Sequence, residues 1–304
     1  MPPWIGPPSI GPPSVGPPSI GVMVPNYNYA RYLAERLGSI GAQTRTPAAL
    51  IFLDDASTDD SWARAAPLLA ALPCRVTTHR NATRVGRVLR QWQAGLALLD
   101  TDLVWIAEAD DRAQPGFLVT LEARLLAEPE ALFAFCDSAP IDAEGQRTGK
   151  DSKAYYAALG DTILGADTLL DSEQFAARCL CPRNLVLNVS AVLWRRAALE
   201  RALARIGNEA DSWHNAADWR VYAEACTQPG RVIYVSTPLN EHRRHAGSVT
   251  GATPAMQHYG EVVTMLTRLR DSLGADPARD ALMRAHLAEL RRLWRLLPSG
   301  QPAA

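Results

Sequence analysis

Three short apolar runs, residues 21–24, 49–53 and 103–107, each stop at a polar cluster, and stretches with helical apolar spacing lie between them. The clusters are Pro25-Asn26-Tyr27-Asn28, Asp54-Asp55 and Glu108-Ala109-Asp110-Asp111. Runs this short and this apolar suit strands covered on both faces, and residues 32–40, 61–72 and 88–99 supply the helices that cover them. Residues 75–78 add a short strand, folded structure is expected from Ile20, and Pro25 is expected to stop the first strand. The alternation predicts an α/β fold with a mainly parallel sheet. Ligands of such sheets bind beyond the carboxyl ends of the strands, so the three clusters should converge on one rim.

The third cluster carries the chemistry. Carboxylates at the end of a buried strand are expensive unless they ligate something. Glu108, Asp110 and Asp111 repel one another, and a divalent cation offsets that repulsion. Mg2+ and Mn2+ take oxygen ligands of this kind and often share them with a diphosphate. A solvated acidic turn is the other reading of the same residues.

The chain has 304 residues, enough to bury a core as one large domain or two small ones. A formal net charge of −1 gives no overall attraction to nucleic acid. The five cysteines form no C-x-x-C pair or zinc spacing, which reads as reduced thiols in the cytoplasm. Residues 5–19 repeat a five-residue unit, Ile-Gly-Pro-Pro-Ser twice and then Val-Gly-Pro-Pro-Ser, so residues 1–19 are expected to be an extended, solvated Pro-rich tether. The first thirty residues hold nine prolines and no charge, unlike a signal peptide, and no segment has the apolar length of a transmembrane helix. In the second half, strands are expected at 131–136, 185–194 and 231–235, a helix at 219–226 opened by Asp218, and mainly helix over 254–297. The basic, amphipathic residues 291–297 either pack on the domain or dock on a membrane interface.

Several motifs occur in order: Val22-Met23-Val24-Pro25-Asn26-Tyr27-Asn28, Phe52-Leu53-Asp54-Asp55-Ala56-Ser57, Trp105-Ile106-Ala107-Glu108-Ala109-Asp110-Asp111, Ala217-Asp218-Trp219, and Arg243-Arg244-His245 leading to Ser248-Val249-Thr250. This series resembles the family-2 glycosyltransferases, over roughly residues 20 to 250 and most strongly the bacterial members that build surface polysaccharides. The resemblance implies an inverting enzyme of the GT-A type, a three-layer, Rossmann-like α/β/α sandwich with a helical C-terminal extension. It divides the chain into a nucleotide-sugar-binding half (20–135), an acceptor and catalytic half (136–253) and the extension (254–304).

The same resemblance implies roles. A nucleotide-diphosphate sugar is the donor, and a glycan or lipid-linked glycan the acceptor. A divalent metal (Mn2+ or Mg2+) is held by Glu108, Asp110, Asp111 and His245. Asp55 bonds a uracil-like base, Pro25, Tyr27 and Asn28 border the nucleoside, and Asp110 also contacts the donor. Asp218 is the general base, a role compatible with its being a helix N-cap. Asp54 can equally cap the turn at Ser57, and Asn28 is as much a turn former as a ligand. Arg84 and Arg87 face the diphosphate or solvent, and the stretch from Arg183-Asn184 to Asn188 and Ser190 lines the acceptor pocket. The tether would suit a module of a larger glycosyltransferase assembly, and the C-terminal helices a peripheral contact with the inner face of the membrane.

Two other folds are disfavoured. A dinucleotide enzyme needs G-x-G-x-x-G after the first strand, where no glycine stands. A phosphoacceptor receiver explains Asp54-Asp55 but not the second acidic cluster. The rival of another class is a catalytically silent relative acting as a scaffold, motivated by Glu108 and Ala217 where relatives commonly carry acidic Asp and Glu.

Overall fold

The computed structural model describes residues 16–149, 153, 156, 163–245, 247 and 254–296. The expected tether over residues 1–15 lies outside the described residues. Its end does not float free. Ser19 N–H and Oγ both donate to Asp102 Oδ2 at 2.7 Å, and Arg45 Nη2 donates to Pro18 O at 2.8 Å.

The strands are β1 (Ile20–Asn26), β2 (Ala49–Asp54), β3 (Arg75–Arg80), β4 (Leu103–Ile106), β5 (Arg112–Ala113), β6 (Ala131–Ile141), β7 (Thr168–Asp171), β8 (Val192–Arg195) and β9 (Arg231–Arg243). They form one sheet in the order β3-β2-β1-β4-β8-β6-β9-β5, with β7 also on β9. β1 to β4 are parallel, β8 enters antiparallel between β4 and β6, and β6 and β9 run parallel again. Most strands thus point one way in a mixed sheet.

Successive β1 residues face opposite layers, as strand geometry requires. Val22 and Val24 pack beneath α1 (Leu33–Gly41), α2 (Ser61–Ala70) and α4 (Phe117–Ala127). Met23 faces α3 (Val88–Leu98) on the other side. That second layer also holds α5 (Ser172–Phe175) with the π turn Ala176–Leu180 that continues it, α6 (Arg196–Ile206), α7 (Ala217–Ala225) and the C-terminal α8 (Ala255–Leu273). α9 (Pro277–Leu293) packs on α8, its start capped by Asp276 Oδ1, which accepts the Ala278 and Arg279 N–H groups. No helix among the described residues is long and apolar enough to cross a membrane.

Three local expectations are corrected. β1 runs through Pro25 to Asn26, because pairing with β4 ends at Met23 and the missing N–H leaves no ladder partner unmet on that side. The strand expected over 185–194 is only Val192–Arg195. Asn184 and Asn188 bend the preceding chain, their Oδ1 atoms accepting from Val186 N–H at 3.0 Å and Ser190 N–H at 2.6 Å. Asp218 is not an N-cap: Ala216 holds that position and Asp218 lies within the first turn of α7.

Trp194 on β8 anchors α7 to the sheet. Its ring stacks on Tyr222 with centroids 5.8 Å apart and planes 10° from parallel, and it meets Phe133 at 4.6 Å. Trp194→Ala should therefore lower stability by about 3–5 kcal/mol, read as a shifted urea midpoint.

Candidate active site

At the end of β4 the chain turns through Glu108 to Asp111, and two arginines hold that turn. Arg36 of α1 is fully buried, and its Nε donates to Glu108 O at 2.7 Å. Its Nη2 lies 4.0 Å from Asp111 Oδ2, and its guanidinium sits over the Trp105 ring at 5.3 Å. Burial lowers this guanidinium to about 10, although Asp111, Asp110 and Glu108 all pull it up. Arg243, at the end of β9, is equally buried. Its Nε donates to Asp110 O at 2.6 Å, its Nη1 to Asp142 O and Ala143 O, and its Nη2 to Glu35 Oε2 at 2.8 Å.

The three carboxylates part ways here. Asp111 is buried with both oxygens engaged: Oδ1 accepts the Arg243 N–H and Oδ2 the Asn188 amide, each at 2.8 Å. It holds the turn together. Asp110 points to the surface of the cleft, where its Oδ2 meets His245 Nε2 at 3.0 Å. The His245 ring is caged by Tyr32 and Tyr29, with centroids at 5.0 and 5.7 Å. Burial and the Asp111 charge push the Asp110 carboxyl up. Burial, then Asp110 and Asp111, push Glu108 up to about 8.

A cleft of about 420 Å3 opens beside this turn. Its walls include Glu108, Asp110 and Asp111 from β4's end, and Asp218 from α7. Residues more than a hundred positions apart are thereby brought together. Burial raises the Asp218 carboxyl to about 7, even though its Oδ1 accepts the Trp219 N–H at 2.6 Å. Asn184 and Asn188 line the same cleft, and Ser190 Oγ accepts the Glu108 N–H at 3.0 Å.

The residues expected to border a nucleoside, at the ends of β1 and β2, lie outside the cleft walls. Asn28 has a left-handed φ of 58°, and its Oδ1 accepts the Thr58 N–H at 2.8 Å, clasping the β1 and β2 turns together. Asp54 caps Ser57 N–H at 3.0 Å, so both turn-forming alternatives are realised. Asp55 Oδ1 accepts from Asn81 and Val85 N–H, and its Oδ2 from Gly86 N–H, each within 2.8 Å, so its carboxylate orders the loop from residue 81 to 86. Arg84 lies over the Tyr27 ring at 3.9 Å. Pro25 lies inside β1 opposite Leu53.

Among the described residues, no three His, Cys, Asp or Glu side chains converge as a ready metal cage. The donor set nevertheless fits a divalent ion. A carboxylate oxygen and an imidazole nitrogen meet at Asp110 and His245, next to two more acidic groups, and two protein donors leave coordination positions for phosphate oxygens.

Sequence reasoning missed Arg36 as a site residue, took Arg243 only as part of a motif, and missed Glu261. Glu261 of α8 is buried, and its Oε2 accepts the N–H groups of His214, Asn215 and Ala216 at 2.9–3.1 Å, immediately before α7. Its Oε1 lies 3.4 Å from His214 Nδ1, and His214 Nε2 lies 2.8 Å from Arg87 Nη1. A carboxylate 43 residues beyond Asp218 gives no local signal of such a role.

The sequence pattern of glycosyl transferase family 2 matches residues 21–191, more than half of the chain. The chain belongs to this family. One stretch of 96 residues is 33% identical to an uncharacterized glycosyltransferase of Nostoc, covering 31% of this chain and 29% of that protein. Another of 117 residues is 29% identical to the O-antigen biosynthesis protein RfbC of Myxococcus xanthus, covering 38% of this chain and 9% of that one. The chain thus spans less than a third of either curated relative. Among solved structures, this family-2 member superposes on S. aureus TarS 1-349 in complex with UDP-GlcNAc with a TM-score of 0.64 and 14% identity, over 91% of this chain and 73% of that one. On the mannosyltransferase PcManGT of Pyrobaculum calidifontis, in complex with GDP-Man and Mn2+, the TM-score is 0.57 at 16% identity, over 93% and 89% of the two chains. The likeness shows the GT-A type fold, with helices following the sheet domain.

Two outcomes follow for this family-2 site. Arg243→Ala should lower stability by about 3–5 kcal/mol in chemical denaturation, because Glu35 and the carbonyls of Asp110, Asp142 and Ala143 lose the buried guanidinium. Asp218 titrates higher in the folded chain, at about 7, than the unfolded value near 3.9, so its ionisation weakens the fold progressively between those pH values. Asp218→Asn should therefore gain melting temperature over wild type at pH 8 and match it at pH 4.

Proposed function

We propose that this chain is an inverting glycosyltransferase, moving a sugar from a nucleotide-diphosphate donor to a hydroxyl of a glycan or lipid-linked glycan in a single displacement. The carrying observation is one cleft walled by Asp110 and by Asp218, with Asp218 raised to about 7. A carboxylate with that pKa is matched to taking a proton near neutral pH. The acidic turn walls one side of the cleft and α7 the other, which supports reading Asp218 as a base that faces the donor end.

In this reading the donor's base and ribose lie across the β1–β2 rim, against the Tyr27–Arg84 stack and the loop ordered by Asp55. Asp110 and His245 would hold Mn2+ or Mg2+ together with the donor diphosphate; Asp111 and Arg243 fix them in place. When bound, such an ion neutralises the charge that develops on the departing diphosphate. Asp218 accepts the proton of the attacking hydroxyl on the cleft side away from that leaving group. Burial and the Asp110 and Asp111 charges raise Glu108, and a divalent ion beside Asp110 would favour its ionised form.

The O-antigen biosynthesis relative named above supports, for this chain, a role in polysaccharide assembly. The scaffold reading makes a different forecast for the same assay. Thermal melts with UDP, GDP and dTDP, each with and without Mn2+, should show one nucleotide raising the melting temperature in a metal-dependent manner. No shift with any of them would favour the scaffold. Asp218→Asn should keep that shift and lose at least about a hundredfold in transfer. Wild-type kcat/KM should rise with pH to a plateau above about 7, because the base must be ionised.

A further inference from the structure

The cleft continues past Asp218 to the C-terminal helices, and donor chemistry does not account for that end. Tyr27, Asn28 and Asp55 are not among its walls, so a donor seated on the β1–β2 rim reaches the cleft at Asp110 and leaves the far end open. There the lining comes from His258 on α8, His286 and Leu290 on α9, Trp294 just beyond α9, and Asn184.

The rings of His258 and Trp294 lie with centroids 4.7 Å apart and planes 33° from parallel, and both are half-buried. Together they present a broad aromatic surface inside the cleft. Asn184 spends its Oδ1 on Val186 N–H, which leaves the donor end of its amide for the cleft. His286 is 7% exposed and lines the same end.

The charge of this end narrows the ligand class. Burial lowers His258, and burial together with the Arg183 charge lowers His286 to about 4, so both imidazoles are neutral at pH 7. A neutral imidazole offers one donor and one acceptor, the pairing a hydroxyl needs. A phosphate or carboxylate would call for cations instead; Arg183 turns its Nη2 onto Glu289 at 2.9 Å, and the arginines among the cleft walls, Arg243 and Arg244, belong to the end of β9, where Arg243 binds Asp110 O. Apolar aromatic faces with a few convergent polar groups are what an amphipathic ring requires.

We propose that this end of the cleft is a subsite for a pyranose ring of the acceptor, stacked on Trp294 and His258 and hydrogen-bonded by His286 and Asn184. It rests on the transferase reading, since an acceptor hydroxyl at Asp218 is what brings the ring there. Saturation-transfer-difference NMR on the full chain tests it, with the methyl glycosides of glucose, galactose, mannose and N-acetylglucosamine as probes. At least one should receive saturation through its ring C–H groups. That signal should fall about fivefold or more in Trp294→Ala, persist in Trp294→Phe, and resist millimolar inorganic phosphate. Absence of signal from every glycoside, an unchanged signal in Trp294→Ala, or displacement by phosphate would overturn the assignment. Should Trp294→Ala fail to fold, His286→Ala replaces it with the same expected loss. Nucleotide melting shifts are recorded for each protein in parallel. A retained nucleotide shift with no glycoside signal sinks the subsite alone, whereas a missing nucleotide shift in the wild type sinks the donor reading.

Discussion

Everything at the rim depends on how two buried guanidinium groups hold a turn made of carboxylates. Arg36 and Arg243 are both excluded from water, and between them they bind the carbonyls of Glu108 and Asp110 and flank Asp111. Burying a charge is costly unless its sign is balanced. Asp111 supplies the balance and is thereby withdrawn into the structure. Asp110 is left to face the cleft and meet His245. The division of labour among three adjacent acids is set by which of them the arginines reach.

The second constraint comes from the far end of the chain. Glu261 gathers three backbone N–H groups just ahead of α7, and through His214 it touches Arg87, which follows the loop that Asp55 orders. The C-terminal helices therefore contribute to both sides of the centre. Through Glu261 they brace the entry to the Asp218 helix, and through His258, His286 and Trp294 they wall the cleft.

The strand–helix alternation of the first half was legible because each buried strand announces itself by an apolar run and ends in polar residues. Pro25 misled only because a proline reads as a stop, whereas an unpaired flank on the β4 side removes its penalty. The region from 185 to 191 misled because apolar Leu185, Val186, Leu187 and Val189 mimic a strand, while Asn184 and Asn188 satisfy the backbone from their side chains. Asp110 and Asp218 were legible from local motifs and do share a cleft. Long-range clasps such as Glu261 and Arg36 were not, since a single acidic or basic residue on an amphipathic helix looks like ordinary surface charge until the fold buries it. Asp55 was read as a ligand, and its carboxylate also holds the loop from residue 81 to 86, a use that leaves no separate mark in sequence.

The antiparallel entry of β8 between β4 and β6 has a consequence for the order of synthesis. β4 is complete at residue 106, but the strand that covers its outer edge spans Val192–Arg195. A chain emerging from the ribosome therefore carries a finished parallel sheet of β3-β2-β1-β4 whose last member, Leu103-Val104-Trp105-Ile106, shows a bare hydrogen-bonding edge for nearly ninety residues of further translation. Bare apolar edges recruit other strands, so the interval before β8 arrives is when this protein is most open to self-association and has most need of a chaperone.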